Sequence, residues 1–216
     1  MRHALRLVAL LAVLIAPAPA FAHPHVFAEA RLDVMLEGEN VRSLRHLWRF
    51  DDLFSSTVIL EFDKNGDNVL DPEEMAEVSK VIYDSIGDFD YFQFVTVDGK
   101  EIKMAPPDDL KALYQDGQLI IMYESMPQDI LPLKGTMQFG VYDPTFYTAI
   151  DFVEDANMAV KDLPSRCTTS VVRPDPDEAI AQNQGSLTEA FFNDPNGNDL
   201  SKLFATKFQF DCKDTQ

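Results

Sequence analysis

Hydrophobic and polar residues alternate along most of the chain with the two-residue period of a β-strand. The first alternating stretch covers 26–34, reaches a Gly-containing turn at 37–40 and returns over 41–50, which predicts a hairpin. The apolar positions then change to helical spacing over 51–62, and a second amphipathic helix is predicted over 72–86.

Strand patterns resume after the two helices. Asp98-Gly99 and Asp116-Gly117 each separate two short strands and suit tight turns that need a positive φ. Asp143-Pro144 separates a third predicted pair, 136–142 and 146–153. Further strands are predicted over 167–172 and 205–212, with a Pro/Asp-rich stretch between them. We therefore expect an α+β fold, mostly an antiparallel β-sheet or sandwich built of hairpins, with a helix–loop–helix insert after the first hairpin.

The first 22 residues have the pattern of a bacterial secretory signal peptide. Arg2 and Arg6 precede a nine-residue apolar run, and Ala20-Phe21-Ala22 matches an A-x-A cleavage signature. A membrane anchor is the alternative, but a spanning helix needs about 20 apolar residues. We expect cleavage after Ala22 and a periplasmic protein that is not inserted in the membrane.

Three segments are predicted along the chain. Residues 1–22 form the signal peptide, and 23–173 form the antiparallel β domain with its insert at 51–86. Residues 174–216 form the Pro/Asp-rich segment and a C-terminal strand that packs on the same domain.

The charge of the chain narrows the choice of partners. Its 216 residues include 18 Lys and Arg against 36 Asp and Glu, a formal net charge of −18. Such a surface repels phosphates, which argues against nucleic acid and favours cations or a basic partner. Gly-x-Ser-x-Gly, His-Glu-x-x-His and a phosphate-binding Gly-rich loop are absent from the sequence, so no enzymatic activity is predicted.

The chain has two cysteines, Cys167 and Cys212. In an oxidising compartment two thiols usually pair, so we predict a disulfide that closes a loop of about 45 residues. The entropic model assigns roughly 4 kcal/mol to a loop of that size. A reactive or metal-binding pair is the alternative, although the spacing is unlike C-x-x-C.

The twelve residues 63–74, between the two predicted helices, match an EF-hand calcium loop. Position 6, where Gly is the rule, is Asn68, which tolerates the left-handed conformation better than most residues. Asp71 also suits an N-cap before Pro72, with Glu74 completing a capping box, and that role explains Asp71 without a metal. The predicted calcium ligands are Asp63, Asn65, Asp67, the Val69 carbonyl, Asp71 and Glu74.

After cleavage the chain would begin His23-Pro24-His25, and its third remaining histidine is His46. Imidazole suits transition metals, and the His23 amine could chelate together with its ring. We therefore predict a candidate site for copper, nickel, cobalt or zinc, with His46 as a third ligand if the hairpin register brings it close. The alternative is a mobile polar N-terminus.

Aromatic residues are frequent near these elements. We predict that they belong to the core rather than to a binding surface: Trp48, Phe50, Phe54, Phe89, Tyr91, Phe92 and Phe94.

Several motifs resemble those of one family. They are His23-Pro24-His25-Val26-Phe27, Trp48-Arg49-Phe50-Asp51-Asp52-Leu53-Phe54-Ser55, Asp63-Lys64-Asn65-Gly66-Asp67, Phe89-Asp90-Tyr91-Phe92, Asp98-Gly99 and Val141-Tyr142-Asp143-Pro144. Over most of 23–173 the chain resembles a domain-of-unknown-function family of exported bacterial proteins, DUF1007, often labelled the periplasmic component of an ABC-type transport system. The resemblance implies an export signal, an acidic helix–loop–helix and association with nickel/cobalt-type membrane transporters.

Two functions are therefore predicted for the mature chain. In the first, an exported calcium-binding protein acts as a metal-associated accessory component beside a membrane metal transporter. In the second, a secreted calcium-stabilised module binds another protein, and the N-terminal histidines bind no metal.

Overall fold

Two β-sheets and a pair of helices make up residues 25–182 and 200–213, the part of the chain described by a computed structural model. The helices are α1 (Asp52–Phe62) and α2 (Pro72–Gly87), and residues 176–182 are also helical. The strands are β1 (Val26–Glu37), β2 (Asn40–Phe50), β3 (Gln93–Val97), β4 (Lys100–Glu101), β5 (Leu110–Gln115), β6 (Gln118–Ser125), β7 (Leu131–Pro132), β8 (Gly135–Val141), β9 (Thr148–Asp151), β10 (Met158–Val160), β11 (Cys167–Val172) and β12 (Lys207–Cys212).

The first sheet, sheet A, is built around the long β1–β2 hairpin that the sequence predicts. Its strand order is β10-β1-β2-β6-β5, while β9 pairs with another part of β1 and β7 with another part of β2. β9 and β10 run parallel to β1, and the other pairs are antiparallel.

The second sheet, sheet B, has the order β11-β12-β8-β3-β4 and is antiparallel throughout. β12, the last strand of the chain, lies inside this sheet between β11 and β8. The mostly antiparallel α+β class expected from the sequence is confirmed.

One predicted strand pair is wrong. The strands on either side of Asp143-Pro144 do not form a hairpin, because β8 belongs to sheet B and β9 to sheet A. The Asp143 carboxylate accepts hydrogen bonds from the Thr145 and Thr148 N–H groups at 2.7 and 2.8 Å. These bonds fix the turn in which the chain crosses from one sheet to the other.

One apolar cluster is shared by both sheets and the helices. Along β1, every second side chain from Val26 to Val34 is buried, and the residues between them face outward. Sheet B contributes Phe139 and Phe210, whose ring centroids lie 4.9 Å apart. Val58, Val78 and Ile86 bring the helices into the same cluster.

Asp51 attaches the start of α1 to sheet A. One carboxylate oxygen accepts the Phe54 N–H at 2.9 Å, which caps the helix, and the other accepts the Phe27 N–H of β1 at 2.8 Å. The side chain therefore fixes where the helical insert leaves the hairpin.

Two serines attach the helices to the strands of sheet A. The Ser55 hydroxyl of α1 accepts the Leu119 N–H at 2.9 Å, and the Ser79 hydroxyl of α2 accepts the Ala112 N–H at 3.0 Å. Because Ala112 lies in the edge strand β5, α2 covers an edge that would otherwise expose an unpaired donor.

Cys167 and Cys212 are joined by a disulfide, the pair that the sequence predicts. They lie opposite each other in the β11–β12 ladder. The bond therefore links the last strand to β11 within sheet B.

His46 lies in the core. Its Nε2 is 3.2 Å from the Gln93 Oε1, and its ring stacks on Tyr123 with centroids 4.4 Å apart. Burial, partly offset by the hydrogen bond to Gln93, lowers the pKa of His46 from 6.5 to about 3. The ring is therefore neutral in the folded protein at neutral pH.

The lowered pKa of His46 should make the stability of the folded protein depend on pH. Because its pKa is lower in the folded than in the unfolded chain, its contribution is complete above pH 6.5 and is lost as the pH falls towards 3. Replacing His46 by Phe keeps a ring against Tyr123 but removes the titrating group. Between pH 6.5 and 5, the unfolding free energy of this variant should fall less steeply than that of the wild type, by up to about 1.4 kcal/mol per pH unit. Urea unfolding across this range measures the slope. His25→Phe, at an exposed position, is the control, and an unchanged slope in His46→Phe would contradict the prediction.

Because Cys167 and Cys212 are bonded, we expect no free thiol in protein made in an oxidising compartment. After denaturation without reductant, thiol titration should detect no free thiol, and reduction should expose both. Detection of two thiols before reduction would show that Cys167 and Cys212 are not bonded in the protein.

Candidate functional site

The loop between α1 and α2 is shaped by its own acidic side chains. The Asp63 carboxylate accepts the Gly66 N–H through Oδ1 and the Asn68 N–H through Oδ2, both at 2.7 Å. Asn68 has a φ of 63°, so the residue at position 6 adopts the left-handed conformation. Asn65 and Asp67 each accept a backbone N–H two residues further on.

Glu74 links the two ends of the loop. Its side chain is buried, with 4% of the residue exposed, although it lies at the start of α2. Oε1 accepts the Lys64 N–H at 2.8 Å, and Oε2 accepts the Asp71 N–H at 2.9 Å. Asp71 in turn caps α2, so the capping box that explains Asp71 without a metal is present.

Negative charge is concentrated around this buried carboxylate. Residues 63–77 contain six acids and one lysine. The lysine, Lys64, pairs with Glu77, which raises the pKa of the lysine. Asn65, Asp71 and Glu74 line an open depression of about 440 Å³ beside this pair.

The predicted calcium ligands do not converge on one point. Across 25–182 and 200–213, no three His, Cys, Asp or Glu side chains are close enough together to hold a metal ion. The loop oxygens instead accept hydrogen bonds from backbone N–H groups. An ionised carboxylate has about four lone-pair sites, so these bonds leave some sites on each carboxylate free. The donor set contains oxygen alone, which suits a hard cation such as calcium.

His46 does not lie beside His25, as the predicted three-histidine site required. His23 lies outside the described residues, and His25 is exposed at the start of β1 with its ring 5.3 Å from that of Tyr147. His46 pairs with Leu32 in the β1–β2 ladder. Leu32 is seven residues from His25, so the two histidines are separated by roughly 23 Å along the strand. The register places His46 on the buried face of sheet A, so it is not a third ligand beside His25.

A cavity of about 250 Å³ lies between the helices and sheet A. Trp48, Phe50 and Phe92 are buried, as predicted for core residues, but they also line this cavity. The sequence analysis missed Tyr147, which follows the Asp143-Pro144 turn. We call the cavity the aromatic pocket, after the six rings that line it: Trp48, Phe50, Phe54, Phe89, Phe92 and Tyr147.

A strained turn shapes one wall of the aromatic pocket. Asp90, Tyr91 and Phe92 have φ values of 51°, 55° and 56°, which non-glycine residues rarely adopt. The Tyr123 hydroxyl donates to the Tyr91 carbonyl at 2.7 Å and helps to hold the turn. Phe92 is thereby placed against Trp48, with ring centroids 6.1 Å apart. Such strain is concentrated at functional sites, which makes the pocket a second candidate site.

No helix in the described part of the chain is long and apolar enough to cross a membrane.

Two uncharacterised bacterial proteins are similar to the chain along most of their length. An uncharacterised protein of Haemophilus influenzae is 25% identical over 200 residues, covering 89% of this chain and 92% of that protein. An uncharacterised 15.5 kDa protein of Spirochaeta aurantia, named for the trpE 3′ region, is 23% identical over 135 residues, covering 62% of this chain and 96% of its own length. A family model described as protein of unknown function (DUF1007) matches residues 8–212, so the chain belongs to that family.

Proposed function

We propose that the chain is an exported binding protein whose helical insert is stabilised by one calcium ion in loop 63–74. The observation that carries this proposal is the buried Glu74 carboxylate, which joins the two ends of an acidic loop. Its two backbone hydrogen bonds offset part of the cost of burying this carboxylate among acidic neighbours, and a bound cation would offset more.

The loop supplies the oxygen atoms that calcium requires. Calcium takes six to eight oxygens at about 2.3–2.6 Å. Asp63, Asn65, Asp67, the Val69 carbonyl, Asp71 and Glu74 would provide them, and the left-handed Asn68 allows the sharp turn. Their backbone hydrogen bonds already fold the loop, so binding needs side-chain movement rather than a new chain path.

The position of the loop explains what the ion would stabilise. Asp63 follows α1 directly, and Glu74 lies in the first turn of α2. An ion between them would therefore fix the two helices relative to each other. Since α2 covers the edge of β5, the same ion would support sheet A.

Two observations support export to the periplasm. The first 22 residues have the signal-peptide pattern, and the two cysteines form a disulfide. Extracellular calcium modules bind with a Kd of about 10⁻⁴–10⁻³ M. At about 1 mM calcium a site in this range would be roughly 50–90% occupied.

A second candidate function is that of an accessory protein for a membrane metal transporter. It is favoured by the position of His25, which is exposed at the start of β1, two residues after His23, the predicted N-terminus. In this role the N-terminal histidines would hold copper, nickel, cobalt or zinc, and the acidic surface would attract the ion.

Calcium should raise the melting temperature of the mature protein. Binding to the folded state alone contributes RT ln(1 + [L]/Kd), about 2.7 kcal/mol when calcium is at 100 times its Kd. For a domain of this size the rise is roughly 5–10 °C. A thermal scan with and without calcium measures it.

Glu74→Gln should abolish most of this calcium-dependent rise. Glu73→Gln is the matched control, because it removes the same charge from an exposed neighbour in the same helical turn. The absence of any shift in the wild type would refute the calcium proposal, as would equal shifts in the two variants.

The accessory role predicts that the free amine of His23 is a ligand. A form that begins Met-His-Pro-His keeps every side chain but moves the amine one residue away. It should bind copper(II) or nickel(II) at least about tenfold more weakly in isothermal titration. Equal affinities of the two forms would exclude the amine as a ligand and favour the calcium-stabilised module alone.

A further inference from the structure

We propose that the aromatic pocket binds a small organic cation, an alkylated ammonium group with an apolar body. This inference goes beyond the calcium proposal and does not rest on it. It rests on the rings, the charge and the size of the cavity between α1, α2 and sheet A.

The rings come from four parts of the fold. Trp48 and Phe50 lie in β2 and Phe54 in α1, while Phe89 and Phe92 follow α2, and Tyr147 precedes β9. The faces of aromatic rings are negative, so a cation that approaches them is attracted. Aromatic rings around a quaternary ammonium group are a recurrent mode of cation recognition.

The charges that line the pocket favour the same ligand. None of its lining residues is Lys, Arg or His, and its one charged residue is Asp143, which is 4% exposed. The Asp143 carboxylate accepts hydrogen bonds from Thr145 and Thr148, and its negative charge disfavours an anion. The net charge of −18 also attracts cations to the protein.

The size and access of the pocket fit a compact ligand. Its volume of about 250 Å³ exceeds the roughly 150 Å³ of an apolar cavity that holds benzene. A trimethylammonium group with a short chain fits within this volume. Phe89 and Tyr147 are 41% and 49% exposed, so these two rings form the rim. A ligand can therefore enter between the end of α2 and the chain that precedes β9.

The fluorescence of Trp48 provides a direct test, because it is the single tryptophan of the chain and lines the pocket. The mature protein is titrated with choline at constant ionic strength and in millimolar calcium. The matched neutral ligand is 3,3-dimethylbutan-1-ol, in which carbon replaces the charged nitrogen. Choline should give a saturable change, and the alcohol should bind at least about tenfold more weakly.

Variants at the rim separate the pocket from non-specific effects. Phe89→Leu and Tyr147→Leu each remove one ring from an exposed position, and each should weaken choline binding about fivefold. Phe27→Leu is the control, because Phe27 is 54% exposed and lies outside the pocket. A melting curve of each variant checks that it is folded.

Three results would overturn the proposal. They are the absence of a saturable response to choline, equal affinities for choline and the alcohol, and folded rim variants that bind choline as tightly as Phe27→Leu. The Trp48 signal reports on the aromatic pocket and not on the ligands of loop 63–74. Failure here therefore leaves the calcium proposal standing, and failure of calcium binding leaves this one standing.

Discussion

One buried carboxylate, that of Glu74, links the two helices of the insert. Glu74 accepts the N–H groups of Lys64 and Asp71, so a single side chain sets the distance between the end of α1 and the start of α2. The rest of α2 then carries Val78 into the core and Ser79 onto the edge of sheet A. The same helix ends beside the aromatic pocket, which Ile82 and Ile86 also line. Both candidate sites therefore share one supporting element.

The two sites differ in the way that each uses negative charge. Loop 63–74 offers oxygen atoms on a hydrogen-bonded and mostly exposed path, which suits a small hard ion. The aromatic pocket offers ring faces and one carboxylate already held by Thr145 and Thr148, which suits a larger and weakly hydrated cation. Under the two proposals, one acidic protein would bind two kinds of cation at separate places.

Local patterns in the sequence predicted local structure well. Alternation predicted the β1–β2 hairpin, helical spacing with the Asp71 cap predicted α1 and α2, and the two cysteines predicted the disulfide. The period of a pattern does not identify the partner of a strand, so the sequence did not indicate that β9 pairs in parallel with β1. The three residues of β10 are too few to show a period, and this strand was not predicted. Likewise, His46 lies inside because of the hairpin register, and the aromatic pocket exists because Tyr147 and Phe89, far apart in sequence, meet in the fold.

We propose that loop 63–74 binds one calcium ion through the Glu74 carboxylate. The most direct measurement is a calcium titration followed in the two-dimensional amide NMR spectrum of the mature protein. Calcium binding should move the Lys64, Gly66 and Asp71 amide signals together along a one-site curve, because their N–H groups donate to proposed ligands. Signals that stay fixed at these three amides, or that shift without saturation at acidic residues across the whole surface, would contradict it.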